Sequence, residues 1–239
     1  MIVIPMAGRS QRFFDAGYDR AKFMLELDGE SVFAHAVGGF AAQFSTHPFL
    51  FITANDASAE AFVRAECARM GVGDFEVVRL AAPTAGQAET VEAGLKAAGV
   101  CGDPALTIFN IDTFRPGFEF PGAWFDGLDG WLEVFRGAGA NWSYVRPAPG
   151  EAPLALETAE KKPISDLCCT GLYHFARASD FAWALERERA APQAKELYVA
   201  PIYNHLIGRG ARIGYSLIGR EEVIFCGTPA EYEGLIGRT

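Results

Sequence analysis

Apolar and polar positions along the first half of the chain follow two alternating periods. Short continuous apolar runs, which are typical of strands buried on both faces, are separated by longer segments with apolar residues at helical spacing. We predict strands over 1–6, 49–53, 75–80 and 105–111, and helices over 32–44, 57–70 and 87–98. Strands and helices that alternate in this way predict a parallel sheet with helices on both faces.

From residue 131 the apolar runs come closer together, which favours a mixed or antiparallel extension of the sheet. We predict strands over 131–135, 142–146, 168–175 and 212–218, and helices over 180–189 and 199–207. The predicted fold class is α/β, Rossmann-like, with a mostly parallel but mixed central sheet. Because no Pro-rich or Gly/Ser-rich tract divides the chain, we predict a single domain over 1–239.

Composition excludes several classes of protein. Half of the 239 residues are apolar, which excludes a disordered chain, and the net charge of −9 argues against a protein that coats nucleic acid. No apolar run approaches the roughly 20 residues of a membrane span. The first residues have no basic leader and are interpreted as a strand, so we expect a cytoplasmic protein.

The cysteines predict neither a disulfide framework nor a zinc site. They are odd in number and show no C-x-x-C spacing, which suits reduced thiols in apolar surroundings. They are Cys67, Cys101, Cys168, Cys169 and Cys226.

The segment that follows the first predicted strand is cationic in an acidic chain. Ligands of open parallel sheets bind outside the carboxyl ends of strands, so this segment is a candidate anion site. Gly8 and Ser10 allow the backbone amides to approach a phosphate, and nearby cations supply countercharge. Asp15 and Asp19 leave open the alternative of a solvated basic loop. The four cations are Arg9, Arg12, Arg20 and Lys22.

Two further loops carry candidate chemistry. Asp112 emerges from the apolar run 105–111, where a carboxylate can hold Mg²⁺ against phosphates; the alternative is an Asp that caps the following turn. The loop 82–90 opens a helix, and its backbone and the Gln87 amide suit a base or a sugar hydroxyl. An ordinary helix N-terminus explains that loop equally well.

These segments together resemble the sugar-phosphate nucleotidyltransferases, whose opening motif is G-x-G-x-R followed after about ten residues by P-K. Here the motif is Gly8-Arg9-Ser10-Gln11-Arg12 and then Ala21-Lys22. The resemblance continues in order along almost the whole chain, through 84–87, 110–112, 169–173 and 227–229. The stretch 196–204 is similar to a smaller subgroup that activates surface-polysaccharide and headgroup precursors, some of whose members use CTP.

The resemblance implies a nucleotidyltransferase that joins an NTP, with CTP or UTP favoured, to a sugar 1-phosphate or a similar phosphorylated metabolite and releases pyrophosphate. It implies Mg²⁺ as cofactor, a nucleotide-binding half over 1–115 and an acceptor-binding half over 116–239. The implied catalytic residues are Arg12, Lys22 and Asp112, with Asp112 as the metal ligand. The implied nucleotide-binding residues are Ala7, Gly8, Arg9, Ser10, Gly86 and Gln87, and the acceptor-binding residues are Glu160, Lys161, Thr170 and Gly171.

Two departures from the motif leave a catalytically weakened nucleotide-binding subunit as an alternative. Ser10 replaces the second glycine, which excludes backbone conformations that only glycine tolerates, and Ala21 replaces the proline that aims Lys22. A nucleotide-sugar glycosyltransferase is the other alternative, although Asn110-Ile111-Asp112 lacks the first Asp of a D-x-D motif.

Some features of the second half stay open. Glu196 and Asn204 are the candidates for a second metal ligand, with capping of the following helix the favoured interpretation. His174 is interpreted as a packed strand residue rather than a base. Three aromatic residues suit either a homodimer patch or the core: Trp124, Phe125 and Trp131.

Overall fold

A computed structural model describes residues 1–236 of the chain. The strands are β1 (Ile2–Met6), β2 (Glu26–Leu27), β3 (Glu30–Ser31), β4 (Phe49–Thr53), β5 (Phe75–Arg79), β6 (Leu106–Phe109), β7 (Thr113–Phe114), β8 (Gly130–Arg136), β9 (Ser143–Pro147), β10 (Ala155–Glu160), β11 (Leu167–Phe175), β12 (Ile213–Ile218) and β13 (Ile224–Phe225). The helices are α1 (Gln11–Asp15), α2 (Val32–Gly38), α3 (Ala57–Met70), α4 (Gln87–Ala97), α5 (Ala178–Ala190), α6 (Val199–Gly208) and α7 (Pro229–Ile236). Short 3₁₀ turns lie at Lys22–Met24, Ala41–Gln43, Ala123–Gly127 and Arg220–Glu222.

The chain divides into two compact units. The first unit comprises Ile2–Pro83, Phe109–Glu119 and the described residues from Glu221 on; the second comprises Met1, Thr84–Ile108 and Phe120–Arg220. The prediction of one domain with a boundary near residue 115 stays a prediction.

The first unit contains three parallel strands, with β1 paired to β4 and β4 paired to β5. Their side chains are buried along nearly the whole of β1 and β4, as expected for strands covered on both faces. The two-residue turn between β2 and β3 places Asp28 and Gly29 at φ 52° and 80°, which the twist of a tight hairpin requires. A second short pair, β7 with β13, joins the segment after β6 to the last part of the described chain.

The second unit contains the mixed part of the sheet. Its strands follow the order β10-β9-β11-β6, and β8 pairs antiparallel with β11 and parallel with β12. Helices α5 and α6 pack on each other, and α6 packs on β10. The predicted class, an α/β fold with a mixed central sheet and helices around it, is confirmed.

Several local predictions were wrong. The helix predicted over 32–44 ends at Gly38. The next residue, Gly39, lies so close to Arg115 that a Cβ would be 2.5 Å from the Arg115 carbonyl oxygen, so a larger residue cannot stand there. The strand predicted over 105–111 ends at Phe109, so Asp112 lies in a turn. Strand β10 was not predicted because its sequence is polar, as is common at the edge of a sheet.

The cysteines and aromatic residues need smaller corrections. All five thiols are free and four are buried, but Cys101 is exposed rather than in apolar surroundings. Trp131 is a core residue whose ring stacks on His174 at 5.2 Å, whereas Trp124 is 42% exposed. Within residues 1–236, no helix has both the length and the apolar character needed to cross a bilayer.

His174 lies in β11 among aromatic rings, and its Nδ1 shares a hydrogen bond of 3.0 Å with the Thr107 hydroxyl. Burial lowers the pKa of its imidazole from 6.5 to about 4. The structure therefore places His174 as a packed strand residue, as predicted.

We expect this lowered pKa to make the fold acid-sensitive. Below pH 6.5 the His174 imidazole is protonated in the unfolded chain, whereas in the folded protein it stays neutral down to about pH 4. The free energy of unfolding therefore falls as the pH drops through this window. Between pH 7 and pH 5 the loss amounts to about 2 kcal/mol. Urea unfolding at both pH values measures this loss of unfolding free energy. The variant His174→Asn keeps a polar atom near Thr107 but has no imidazole, so its loss between the two pH values should be smaller than that of the wild type by about this amount. An identical pH dependence in the two proteins would contradict the assignment.

Candidate active site

The predicted phosphate segment, Ala7 to Lys22, leaves β1 and contains the short helix α1. Gly8 and Arg9 are exposed, and Ser10 precedes α1 with φ 49° and ψ 26°, in the left-handed region. This conformation is uncommon for serine but is not one that only glycine tolerates. For a non-glycine residue this conformation costs on the order of 1 kcal/mol, so other contacts must hold it. One such contact is the hydrogen bond of 3.2 Å that the Lys22 amide donates to the Ser10 hydroxyl.

The cations of this segment differ in whether they already have partners. Arg20 pairs with Asp19, and Asp15 accepts from Gln11. Within the described chain, neither Arg9 nor Arg12 forms an ion pair, and both are exposed. Their charge is therefore available to an anion.

Ala21 has a backbone conformation that a proline could also adopt. Its φ of −61° is close to the value at which a proline ring fixes this angle, and its ψ is 142°. Lys22 then begins a 3₁₀ turn, and its ammonium donates a hydrogen bond to Asp112 Oδ2. The structure thus brings together Ser10, Lys22 and Asp112, three residues that the sequence predicted for one site.

Asp112 is held by backbone and side-chain contacts. Its carbonyl accepts from the Cys226 amide at 2.8 Å, and its Oδ2 lies 3.1 Å from the position of a Cβ on Gly227. The side chains of Lys22 and Asp112 are 21% and 24% exposed, so this ion pair is partly desolvated but open to a ligand. Burial, followed by the charge of Asp112, raises the pKa of the Cys226 thiol to about 12, so it is protonated at neutral pH.

The Asp112 carboxylate does not belong to a ready-made metal cluster in the described part of the chain. The described residues contain no group of three or more His, Cys, Asp and Glu side chains that could hold a metal ion by themselves. A divalent cation at Asp112 would therefore need ligands from a substrate or from water.

Gly86 and Gln87, the other predicted nucleotide-binding residues, lie in the second unit where the chain enters α4. Gly86 has φ 153°, and a Cβ there would lie 2.6 Å from both the amide nitrogen and the carbonyl oxygen of Leu197. Leu197 donates to the Ala85 carbonyl at 3.0 Å and accepts from the Ala88 amide at 2.8 Å. Two loops more than a hundred residues apart are thus bonded backbone to backbone, and only glycine fits between them.

Glu160 and Lys161 lie at the end of β10. The Glu160 side chain is 8% exposed and accepts from the Ser143 hydroxyl, and burial raises the pKa of its carboxyl group. Lys161 has φ 55°, and its ammonium donates to the Tyr198 hydroxyl at 2.7 Å and lies 3.6 Å from Glu160 Oε1. The Tyr198 hydrogen bond and the two nearby carboxylates raise the pKa of Lys161, so it stays a cation.

Thr170 and Gly171 lie in a bulge of β11, where the register with β8 shifts between Cys169 and Tyr173. The Thr170 hydroxyl is buried and donates to Glu133 Oε1 at 3.0 Å, and Gly171 has φ 99°. The hydroxyl of Thr170 is thus engaged inside the protein.

The capping interpretation of Asn204 was wrong. Tyr198, not Asn204, precedes α6, and Asn204 lies in the middle of that helix. Its side chain accepts from the Thr158 amide and donates to the Thr158 carbonyl, both at 2.8 Å, and so ties α6 to β10. With these atoms engaged, Asn204 is not a metal ligand in this arrangement. Glu196 is exposed just before the helix.

Sequence reasoning missed Tyr198 and the contact of Gly227 with Asp112. Tyr198 lies in the stretch 196–204, whose sequence predicted candidate ligands only at its acidic and amide residues. Gly227 belongs to the Gly-Thr-Pro sequence that was noted without a role. Contacts across such separations leave no signal in the local pattern.

Comparison with solved structures first defines the class of fold. The inositol-1-phosphate CTP transferase of T. maritima aligns with a TM-score of 0.72 and 12% identity over 99% of this chain and 94% of that one. A UDP-glucose pyrophosphorylase complexed with UDP-glucose aligns with a TM-score of 0.76 and 14% identity over 99% and 96%. The chain has the fold of these nucleotidyltransferases.

A nucleoside-diphosphate-sugar pyrophosphorylase from Vibrio cholerae RC9 is much more similar. It shares 49% identity with this chain over the full length of both, with a TM-score of 0.94. The chain therefore belongs to the family of sugar-phosphate nucleotidyltransferases that includes the nucleoside-diphosphate-sugar pyrophosphorylases. No protein-family model and no curated protein matches it.

Gly86→Ala is expected to destabilise the second unit strongly. The added methyl group would collide with the Leu197 backbone, and alanine would also be strained in the backbone conformation of Gly86. Together these two effects cost about 2–4 kcal/mol of unfolding free energy. Gly99→Ala is the matched control, because Gly99 has φ 62° but open space around it, so only the conformational cost of about 1 kcal/mol remains. Equal losses in urea unfolding would show that the contact with Leu197 is unimportant.

Proposed function

We propose that this protein transfers a nucleotidyl group from an NTP, with CTP or UTP favoured, to a sugar 1-phosphate or a similar phosphorylated metabolite, with release of pyrophosphate. The observation that carries the proposal is the contact of Lys22 with Asp112, since Lys22 ends a chain segment that also carries the exposed guanidinium groups of Arg9 and Arg12. Membership in the sugar-phosphate nucleotidyltransferase family supports the same reaction.

Mg²⁺ suits the residues at Asp112. This cation usually binds through one or two carboxylates and takes its other ligands from substrate phosphates and water, and Asp112 supplies one partly exposed carboxylate. Mg²⁺ takes oxygen ligands, so the nearby Cys226 thiol does not compete with Asp112. When bound, the cation would neutralise phosphate charge and polarise the reacting phosphorus.

The phosphate segment would hold the triphosphate. The backbone around Ala7, Gly8 and Ser10 can direct amides at phosphate oxygens, and Arg9 and Arg12 supply unpaired positive charge. Lys22 would change partner during binding, from the Asp112 carboxylate in the free protein to the phosphates of the nucleotide. Gly86 and Gln87 would contribute backbone and amide groups to the nucleoside.

Glu160, Lys161, Thr170 and Gly171 would serve the acceptor. Lys161 is a cation held by Tyr198 and suits the acceptor phosphate, whereas the buried Glu160 carboxyl suits a hydroxyl group. Thr170 would act through the shape of the β11 bulge, since its hydroxyl is engaged by Glu133.

The chemistry needs no protein nucleophile. An oxygen of the acceptor phosphate forms a bond to the α-phosphorus as the bond from this phosphorus to the bridging oxygen breaks, and pyrophosphate leaves with the electron pair. Two anions must approach each other, so charge neutralisation by Lys22 and Arg12 is the main contribution of the protein.

The two alternative functions have less support. Ser10 is held by a hydrogen bond from the Lys22 amide, and Ala21 has the φ of a proline, which supports an active enzyme rather than a weakened subunit. A glycosyltransferase would act on a nucleoside-diphosphate sugar and release no pyrophosphate.

A substrate panel tests the proposal directly. CTP, UTP, dTTP, ATP and GTP are each incubated with Mg²⁺ and a set of sugar 1-phosphates, and pyrophosphate is measured. Release that requires both substrates, with CTP or UTP fastest, is expected. A panel without release from any pair rejects the proposed reaction, and a purine preference rejects the choice of base.

Lys22→Ala is expected to lower kcat about 100-fold, because one preorganised countercharge contributes a few kcal/mol to the transition state. The same change removes the cation that occupies Asp112, so the nucleotide-free protein should bind Mn²⁺ more tightly in calorimetry. Lys96→Ala, which alters an exposed lysine of α4, is the control. A kcat close to that of the wild type would remove Lys22 from the mechanism.

Asp112→Asn is expected to abolish the gain in nucleotide affinity that Mg²⁺ produces. The neutral amide is a poor magnesium ligand, whereas Lys22, released from its ion pair, still attracts phosphates without metal. Calorimetry with CTP or UTP, with and without Mg²⁺, measures the two affinities, and the exposed Asp19→Asn serves as control. The same metal-linked affinity in Asp112→Asn would place the metal elsewhere.

A further inference from the structure

Helix α7 and the two residues before it contact the two components of the proposed phosphate site, which are the Asp112 carboxylate and the cationic segment 9–22. Just before it, Gly227 and Thr228 donate their amides to Glu231 Oε2 at 2.9 and 3.0 Å, and the Thr228 hydroxyl donates to the same oxygen at 3.0 Å. These bonds fix the first turn of the helix, as in a capping box. They also fix Gly227, which is the residue in contact with the Asp112 carboxylate.

Gly227 leaves space that a side chain would take from Asp112. A Cβ at this position would lie 3.1 Å from Asp112 Oδ2, closer than ordinary van der Waals contact, and 3.6 Å from Glu231 Oε2. No left-handed φ is involved at Gly227, so the constraint is steric rather than conformational. The amide of Cys226, the residue before it, holds the Asp112 carbonyl.

The next turn of α7 contacts the phosphate segment. The buried ring of Tyr232 lies 6.1 Å from Phe13 of α1 and 5.6 Å from Tyr18, in edge-to-face geometry with both. Phe13 and Tyr18 are themselves 5.5 Å apart. The Tyr232 hydroxyl donates to the Glu26 carbonyl at 2.6 Å, so one side chain braces the helix that carries Arg12 and the strand that follows Lys22.

We infer that Gly227 and Tyr232 are positioning residues, through which α7 sets the separation between the Asp112 carboxylate and the cationic segment 9–22. This inference rests on the proposed function for its catalytic consequence, but the structural coupling can be measured without turnover. Neither residue has to touch the substrate. Since misplacing a reacting group by about 1 Å can cost about 100-fold in rate, small shifts of α7 would have a large effect.

The test uses two variants, each with a matched control in the full-length protein. Gly227→Ala inserts a methyl group against Asp112, and Gly234→Ala inserts one within α7, where nothing lies within 4 Å. Tyr232→Phe removes the hydroxyl that bonds the Glu26 carbonyl, and Tyr203→Phe removes a buried hydroxyl that bonds the His174 carbonyl at 2.8 Å in the second unit. Each protein is assayed for pyrophosphate release and for amide hydrogen exchange.

Gly227→Ala is expected to lower kcat at least about 10-fold while Gly234→Ala leaves it unchanged. Tyr232→Phe is expected to raise the exchange rate over 10–26 and to raise the KM for the NTP about threefold, while Tyr203→Phe changes neither. A merely structural role would lower the unfolding temperature of Gly227→Ala and Tyr232→Phe and leave their kcat and KM unchanged.

The possible outcomes separate this inference from the proposed function. If the wild type releases no pyrophosphate with any NTP, the proposed reaction is rejected, while faster exchange over 10–26 in Tyr232→Phe alone still supports the coupling. If exchange in Tyr232→Phe matches the wild type, or if an active Gly227→Ala keeps its kcat, the positioning role is overturned even for an active enzyme.

Discussion

The ion pair of Lys22 with Asp112 is the interaction on which the proposed site depends. It joins residues 90 positions apart, one from the segment after β1 and one from the turn after β6. A partly buried charge is costly unless it is paired, so each group stabilises the other in the absence of ligand. A bound cation and a triphosphate would replace both partners at once, which leaves no buried charge unpaired at either stage.

The second unit places its candidate residues by a different means. Its loops are held by backbone hydrogen bonds and by amide side chains rather than by a central ion pair. Leu197 bonds the loop before α4, and Asn204 bonds both backbone groups of Thr158. Because Glu160 and Lys161 follow Thr158 closely, α6 indirectly fixes the end of β10 where they lie. Rigid placement of this kind is what a site that works by orientation requires.

The sequence predicted the long buried elements well, since continuous apolar runs and helical spacing are properties of the chain itself. It did not predict β10, α1 or α7, which are short, polar or amphipathic and are stabilised mainly by tertiary contacts. The same division applies to the site. Lys22 and Asp112 were predicted because charged residues after apolar strands are conspicuous, whereas Tyr198 and Gly227 act through contacts between segments distant in sequence.

The two departures from the family motif, Ser10 and Ala21, both lie next to the backbone amide of Lys22 in contact or in sequence. Serine in a left-handed conformation is less stable than glycine, but its hydroxyl gains a hydrogen bond from the Lys22 amide that glycine could not make. That bond fixes the backbone directly after Ala21, the position where a proline would have restricted it. A bond of this kind is worth about 0.5–1.5 kcal/mol, comparable with the cost of the conformation. The Ser10 hydroxyl therefore restrains the backbone next to the position where this chain lacks the proline of the motif.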